Sequence, residues 1–191
     1  MKSLKLSILV LSTHTRRNTF LPKSLDMIYG QLERSIYKDE VEVLYLIDNK
    51  CMTVGDKRNK LKSIASGEYI VFVDDDDIII ETYINDLIEA MIEKPDVISF
   101  DCQLNDNGKI KNVFFSTYYL FNFKYDDNYY RIPNHLMCIK RNIFNLVQFK
   151  DISLGEDNDV SLSLRPLLIT EKKINKILYI YEFNWSTTET Q

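Results

Sequence analysis

The chain has 191 residues, 45% of them hydrophobic and 27% charged, the composition of an ordinary globular protein long enough to bury a substantial core. A net charge of −4 excludes a global basic field that would draw in nucleic acid, though not a local basic patch. No apolar run approaches the roughly 18 residues that a membrane span needs, and three widely spaced cysteines suit neither a zinc site nor a disulfide framework, so a reducing cytosol is the expected compartment.

The first ten residues have a basic start and an apolar run. They alternate as a strand does and lack a small-residue cleavage site, so a strand over Leu6 to Leu11 is expected rather than a secretory leader. A polar loop, Ser12 to Asn18, follows. Pro22 and Ser24 open a helix with an apolar stripe at Leu25, Ile28, Leu32 and Ile36. Val41 to Ile47 reads as a second strand that ends at Asp48 and Asn49. A short helix over about residues 56–66 turns Leu61, Ile64 and Ala65 inward, with Gly67 as its stop. Tyr69 to Val73 is a short run of β-branched and aromatic residues that reads as a buried strand, and it leads into four consecutive aspartates, Asp74 to Asp77. The next helix covers about residues 82–93, with Ile84, Leu87, Ile88, Met91 and Ile92 at helical spacing and Pro95 behind it. Val97 to Cys102 is a fourth strand. This alternation predicts a mainly parallel sheet with right-handed crossovers.

Beyond residue 102 the pattern changes. Asn107-Gly108, between Gln103-Leu104 and Ile110 to Phe115, is a hairpin signal. Then comes an aromatic-rich stretch, from Tyr118 to Tyr130, which serves either sheet packing or a platform that stacks on sugars or bases. Leu136 to Ile139 reads as a strand and Arg141 to Val147 as a short helix. Gly155 begins a helix that Pro166 ends, and Ile177 to Phe183 alternates as a late strand before a polar tail. The whole is one domain with two halves, 1–102 and 103–191.

Two acidic clusters carry the chemistry. Carboxylates crowded at the mouth of a strand repel one another by about 1 kcal/mol per close pair even in a water-like dielectric. A cation removes that cost, and oxygen ligands suit Mg²⁺ or Mn²⁺; the alternative is a solvated acidic turn capping the next helix. In a parallel sheet the loops after the first three strands converge on one edge. Ser12 to Arg17, Asp48-Asn49 and Asp74 to Asp77 would then surround one crevice. Asp48 suits a base N–H or a ribose hydroxyl, and Arg58 a diphosphate or base. Arg16, Arg17 and Lys57 are either phosphate partners or solvated charges. Neither GxGxxG nor GxxxxGKS/T occurs, so a diphosphate here would depend on a metal and basic side chains. The second cluster, Glu156, Asp157 and Asp159, is either a helix cap or the source of a general base. His14 and His135 are the only histidines, with structural and acid–base roles both open.

The stretches SILVLSTHTRR, VEVLYLIDN, GDKRNKLKSIASGEYIVFVDDDD and GEDNDVSLSL resemble, in order, the motifs of nucleotide-sugar-dependent glycosyltransferases of the glycosyltransferase-A fold, family-2 type. The match covers roughly residues 6–165. It implies an α/β, Rossmann-like single domain with a mainly parallel central sheet flanked by helices and a small antiparallel hairpin region in the C-terminal half. It also implies metal-dependent inverting transfer from a nucleoside diphosphate sugar, with uridine the first choice, to an acceptor hydroxyl. By position, Asp48 would contact the nucleobase with Ser12, Thr13 and Arg16 nearby, and Lys57 and Arg58 would lie close to the base or diphosphate. Asp74 and Asp75 would face ribose and sugar. Asp76 would ligate Mn²⁺ or Mg²⁺, with Asp74 and Asp77 as rivals because the run of four leaves the register open. Asp157 would be the base, beside Glu156. Two departures stand out: no histidine follows His135, and the family's usual Pro-Thr-Tyr-Asn opening is replaced by Ser12 to Thr15. The compact form also resembles small enzymes encoded by bacteriophages, which would work in the host cytoplasm. The acceptor is either a glycan or a hydroxymethylated base in DNA, for which Lys109, Lys111, Lys124, Arg131, Lys140 and Arg141 would offer a basic face. A nucleotidyltransferase would carry a glycine-rich loop that is missing here, and a non-catalytic nucleotide- or glycan-binding module is the remaining alternative.

Overall fold

A computed structural model describes residues 3–183; the expected polar tail lies outside them. Three parallel strands form the heart of the sheet: β1 (Leu6–Thr13), β2 (Val41–Asp48) and β3 (Tyr69–Asp74), with β1 in the middle. All eight residues of β1 are buried, as a central parallel strand covered on both faces requires. Helices α1 (Phe20–Arg34) and α2 (Val54–Ile64) make the crossovers. The short β4 (Ile78–Ile79) and α3 (Tyr83–Ala90) lead to β5 (Val97–Asp106), which turns into β6 (Lys109–Phe115) through the expected Asn107-Gly108 turn, both residues having positive φ.

A second hairpin, β7 (Phe123–Tyr125) and β8 (Asn128–Arg131), extends the sheet beyond β6; Asp126 and Asp127 turn it with φ of 47° and 59°. The chain then returns as β9 (Cys138–Lys140), α4 (Arg141–Phe144), α5 (Glu156–Leu164) and β10 (Glu171–Phe183). β9 lies between β3 and β5, antiparallel to both, and β10 runs parallel to β5 on its other edge. So β1, β2, β3, β5 and β10 share one direction, and the sheet is mainly parallel as predicted. Among the described residues no helix is long and apolar enough to cross a membrane.

Several local expectations fail for definable reasons. Ile36, Ile64 and Ile92 are exposed because each falls at or past a helix end, where the 3.6-residue period no longer governs facing. β10 begins six residues earlier than expected: its first half is charged, but Lys173 pairs with Asp101, and Glu171 accepts hydrogen bonds from Ser99, Ser116 and Thr117. Gly67 does not cap α2, whose C-cap is Ala65. It sits where a Cβ would come within 2.6 Å of the Ser7 amide nitrogen, so only glycine lets the entry to β3 lie against β1.

Candidate active site

The register pairs Thr13 with Asp48 and Leu11 with Asp74, so β1, β2 and β3 finish level and their following loops open on one edge of the sheet. A cleft of about 490 Å³ lies there. Its walls include Arg16, Asp74, Asp75 and Asp76 from the first half of the chain and Glu156 and Asp157 from the second.

Arg58 joins the two acidic clusters. It is 4% exposed, its guanidinium carbon lies 5.1 Å from the centre of the Phe72 ring and 5.8 Å from that of Phe149, and its nitrogens reach both sides of the cleft. Nη2 donates to Asp74 Oδ1 at 3.1 Å, and Nε to Glu156 Oε1 at 3.4 Å. Its Nη1 is buried with no hydrogen-bond partner among the described residues. Burial raises the Asp74 carboxyl, but Arg58 and His135, whose Nε2 is 3.6 Å from Asp74 Oδ2, outweigh it and hold the group below the usual carboxylate range.

The next two aspartates share Arg16. Asp75 accepts the Ser12 hydroxyl at 2.6 Å through Oδ2 and pairs with Arg16 Nη1 at 2.7 Å through Oδ1, while Arg16 Nη2 meets Asp76. Burial nonetheless pushes Asp75 up to about 7, helped by its acidic neighbours against Ser12 and Arg16. Asp76 is raised for the same first reason, with Asp74 adding to it against Arg16. The cleft wall carries six carboxylates, on Asp74, Asp75, Asp76, Asp106, Glu156 and Asp157, against three arginines, Arg16, Arg58 and Arg131. Asp77 points elsewhere: buried, it accepts the Tyr179 hydroxyl at 2.7 Å and the Glu182 amide at 2.9 Å, which fastens β10.

At the other wall Gly155, with φ of 83°, starts α5 and sends Glu156 inward to Arg58. Asp157 is half-buried, and among the described residues no side chain claims its carboxylate. Ser12, Thr13, Asp48 and Lys57 do not line the cleft. Ser12 holds Asp75. Thr13 is buried and exchanges a hydrogen bond with Thr15 at 3.1 Å. Lys57 Nζ and Asp48 Oδ1 are 3.1 Å apart and almost wholly enclosed, with the Met52 amide donating to Asp48 Oδ2 at 3.0 Å. Burial would raise the Asp48 carboxyl, but the Met52 amide and Lys57 together keep it low.

His135 was the wall residue hardest to assign from sequence. The turn before β9 matches His135 with the end of β3: its backbone carbonyl accepts the Phe72 amide at 3.3 Å, and its Nε2 lies 3.6 Å from Asp74 Oδ2. Because β9 runs antiparallel, an order of elements that leaves its direction open hides that match. The same reversal divides the expected basic face. Lys140 and Arg141 sit at the start of β3, where Arg141 Nε donates to the Gly67 carbonyl at 2.7 Å, far along the sheet from Arg131 in the cleft. Lys111 and Lys124 face their own carboxylates, Asp106 and Asp127.

Among the described residues no group of three or more acids, histidines or cysteines is arranged to hold a metal by itself. The donor set still suits Mg²⁺ or Mn²⁺, which bind through one or two carboxylates and complete their shell with water and substrate phosphates. Asp76 and Asp74 offer those carboxylates in a cleft with surplus negative charge.

A mainly parallel sheet flanked by helices, with acids from both halves of the chain lining one cleft at its edge, has the architecture of the glycosyltransferase-A fold. The family model described as glycosyl transferase family 2 matches residues 13–151, and the chain belongs to that family. The match ends before Glu156. Among solved structures, S. aureus TarS 1–349 is similar at a TM-score of 0.66 and 16% identity, over 94% of this chain and 60% of that one. The same protein in complex with UDP-GlcNAc is similar at 0.65 and 16%, over 97% and 61%, and in complex with UDP at 0.63 and 16%, over 95% and 61%. At that identity the likeness shows the fold alone, and the chain spans about three fifths of the TarS 1–349 length. A search of curated proteins found no significant match.

Proposed function

We propose that the protein is a metal-dependent, inverting glycosyltransferase that moves a sugar from a nucleoside diphosphate, uridine diphosphate before others, to an acceptor hydroxyl. The observation that carries this reading is that Asp76 and Asp157, distant in sequence, line one cleft. UDP is the first choice because a protein of the same fold has been captured with UDP and with UDP-GlcNAc. Residues 1–102 supply the donor side of the cleft. The C-terminal half supplies the base and, through Tyr129, Phe115 and Tyr181, apolar wall on which a sugar ring can stack.

Arg58 Nη1, buried and without a hydrogen-bond partner among the described residues, would donate to an oxygen of the diphosphate. Glu156 and Asp74 fix that guanidinium from two sides, so it meets the diphosphate already oriented. A divalent ion held by Asp76 and Asp74 would supply positive charge to the leaving diphosphate. Asp157 takes the proton of the acceptor hydroxyl as its oxygen bonds to the anomeric carbon, and the bond from that carbon to the diphosphate oxygen breaks on the opposite face, which inverts the configuration. A glycan hydroxyl is the better acceptor than a DNA base, because Lys140 and Arg141 lie away from the cleft, and Lys111 and Lys124, which gather with Arg131 around Tyr129, are paired with Asp106 and Asp127. A reducing compartment remains the expectation for the three free thiols.

Asp157→Asn is expected to lower transfer by about 10²- to 10⁴-fold, the usual contribution of a general base, while UDP-sugar binding measured by titration calorimetry stays unchanged. Loss of donor binding together with transfer would remove the base assignment.

A further inference from the structure

Arg16 stands where a cation is needed. Its two terminal nitrogens bridge consecutive carboxylates, Nη1 to Asp75 and Nη2 to Asp76, and the side chain is 11% exposed. The Phe20 ring backs the guanidinium, its centre 4.5 Å from the central carbon. The second oxygen of Asp75 is already taken by Ser12. The backbone of Arg16 is pinned as well. Its amide donates to the Thr13 carbonyl at 3.0 Å, and its carbonyl accepts from the amides of Thr19 and Phe20 at 3.1 Å each, at the start of α1. Any change of partner therefore falls to the side chain.

A guanidinium already on Asp76 occupies one oxygen and neutralises the carboxylate, and at contact distance its charge and that of a divalent ion repel. From this geometry we propose that Arg16 is a built-in counter-cation: it holds the Asp76 carboxylate that a divalent ion would take, so the ion binds Asp76 only as Arg16 lets go. This rests on the reading of Asp76 as the metal-binding residue. Released, the guanidinium stays tethered by Phe20 at the wall of the cleft, where the diphosphate that accompanies the ion is its natural next partner. The protein without donor then keeps Asp75 and Asp76 paired without metal, and metal and nucleotide enter together.

The test is Mn²⁺ binding by the whole protein, read from the electron paramagnetic resonance signal of the free ion without any sugar donor. Arg16→Gln is expected to bind Mn²⁺ about tenfold more tightly than wild type, equivalent to about 1.4 kcal/mol. Arg16→Lys should fall in between, since one ammonium cannot span both carboxylates. Equal or weaker binding by Arg16→Gln, with binding still present, overturns the competition and leaves the metal site standing. No Mn²⁺ binding by wild type or either variant overturns the Asp76 assignment and the competition together. A second measurement needs no variant with a neutral side chain: in ¹⁵N-arginine-labelled wild type, assigned through Arg16→Lys, Mg²⁺ should shift the Arg16 Nε–H resonance. An unmoved resonance at saturating Mg²⁺ overturns the proposal.

Discussion

Arg58 shows how one side chain can organise a site. Removed from water and from most solvent contact, it survives as a cation because Asp74 and Glu156 face it and two aromatic rings flank it. Burial alone would lower its affinity for the proton, yet Asp74 and Glu156 reverse that and raise it. Lys62, one helical turn further along α2, has no carboxylate paired with it among the described residues. Its amine donates to the carbonyls of Phe144, at 3.1 Å, and Val147, and burial lowers its pKa to about 8 from the ordinary 10.5. The folded state therefore releases this proton before the unfolded chain does. The cost of enclosing the charge is fully present below about pH 8 and is relieved as pH rises towards 10.5. Chemical denaturation of wild type and Lys62→Met at a series of pH values should show wild type gaining on the variant between pH 8 and 10, with a constant difference between pH 6 and 7.5. A constant difference throughout would mean that Lys62 titrates normally in the folded protein.

At the scale of elements, α2 ties the halves together through its N-terminal turn. Thr53 caps it by accepting the Asp56 amide at 3.1 Å, and the Thr53 hydroxyl donates to Asp151 at 2.6 Å. Gly55 then lies directly on the segment that leads to α5: its amide donates to the Ile152 carbonyl at 3.0 Å, and a Cβ would stand 1.8 Å from the Lys150 carbonyl oxygen. Gly55→Ala must push that backbone away. A destabilisation of about 1–3 kcal/mol is expected from the overlap, seen as a lower denaturation midpoint. A stronger effect on transfer than on donor binding should accompany it, because the displaced segment carries Asp157. The helix and strand positions of the first half were legible in the alternation of apolar runs and polar loops, since a buried parallel strand and a half-buried helix write different periods. Gly67 was legible as a special position but not for its reason, because close approach to Ser7 is a fact about β1 and not about α2. The β7–β8 hairpin was hidden in aromatic sequence, its turn made by two aspartates rather than the expected Asn-Gly.

For the molecule as a whole, the sheet decides which acids meet. β10 fills the outer edge of β5 and reaches back to Asp77 through Tyr179 and Glu182, so the fourth aspartate belongs to the architecture and the other three to the cleft. A ligand that binds only the folded state stabilises it by roughly 2.7 kcal/mol at a hundredfold excess over its dissociation constant. For a chain of this size that corresponds to about 2–4 °C in Tm per kcal/mol. UDP with Mn²⁺ is expected to raise Tm by several degrees in a thermal scan, UDP with EDTA by much less, and Asp76→Asn should remove most of that difference. An equal shift with and without the metal would separate nucleotide binding from Asp76.

By itself the sequence determined the alternation of strands and helices in the first half, the two acidic clusters and a resemblance to one glycosyltransferase family, because periodicity and motif spacing are local and survive without coordinates. Only the tertiary structure decided that Asp77 is enclosed while Asp76 lines the cleft, that His135 returns to Asp74, and that Arg58 and Arg16 divide the acids between them. The first depends on the seat of β10, the second on the direction of β9 and the third on the pairing of β1 with β3 and the seats of α2 and α5, all set by long-range contacts that no local run of residues encodes.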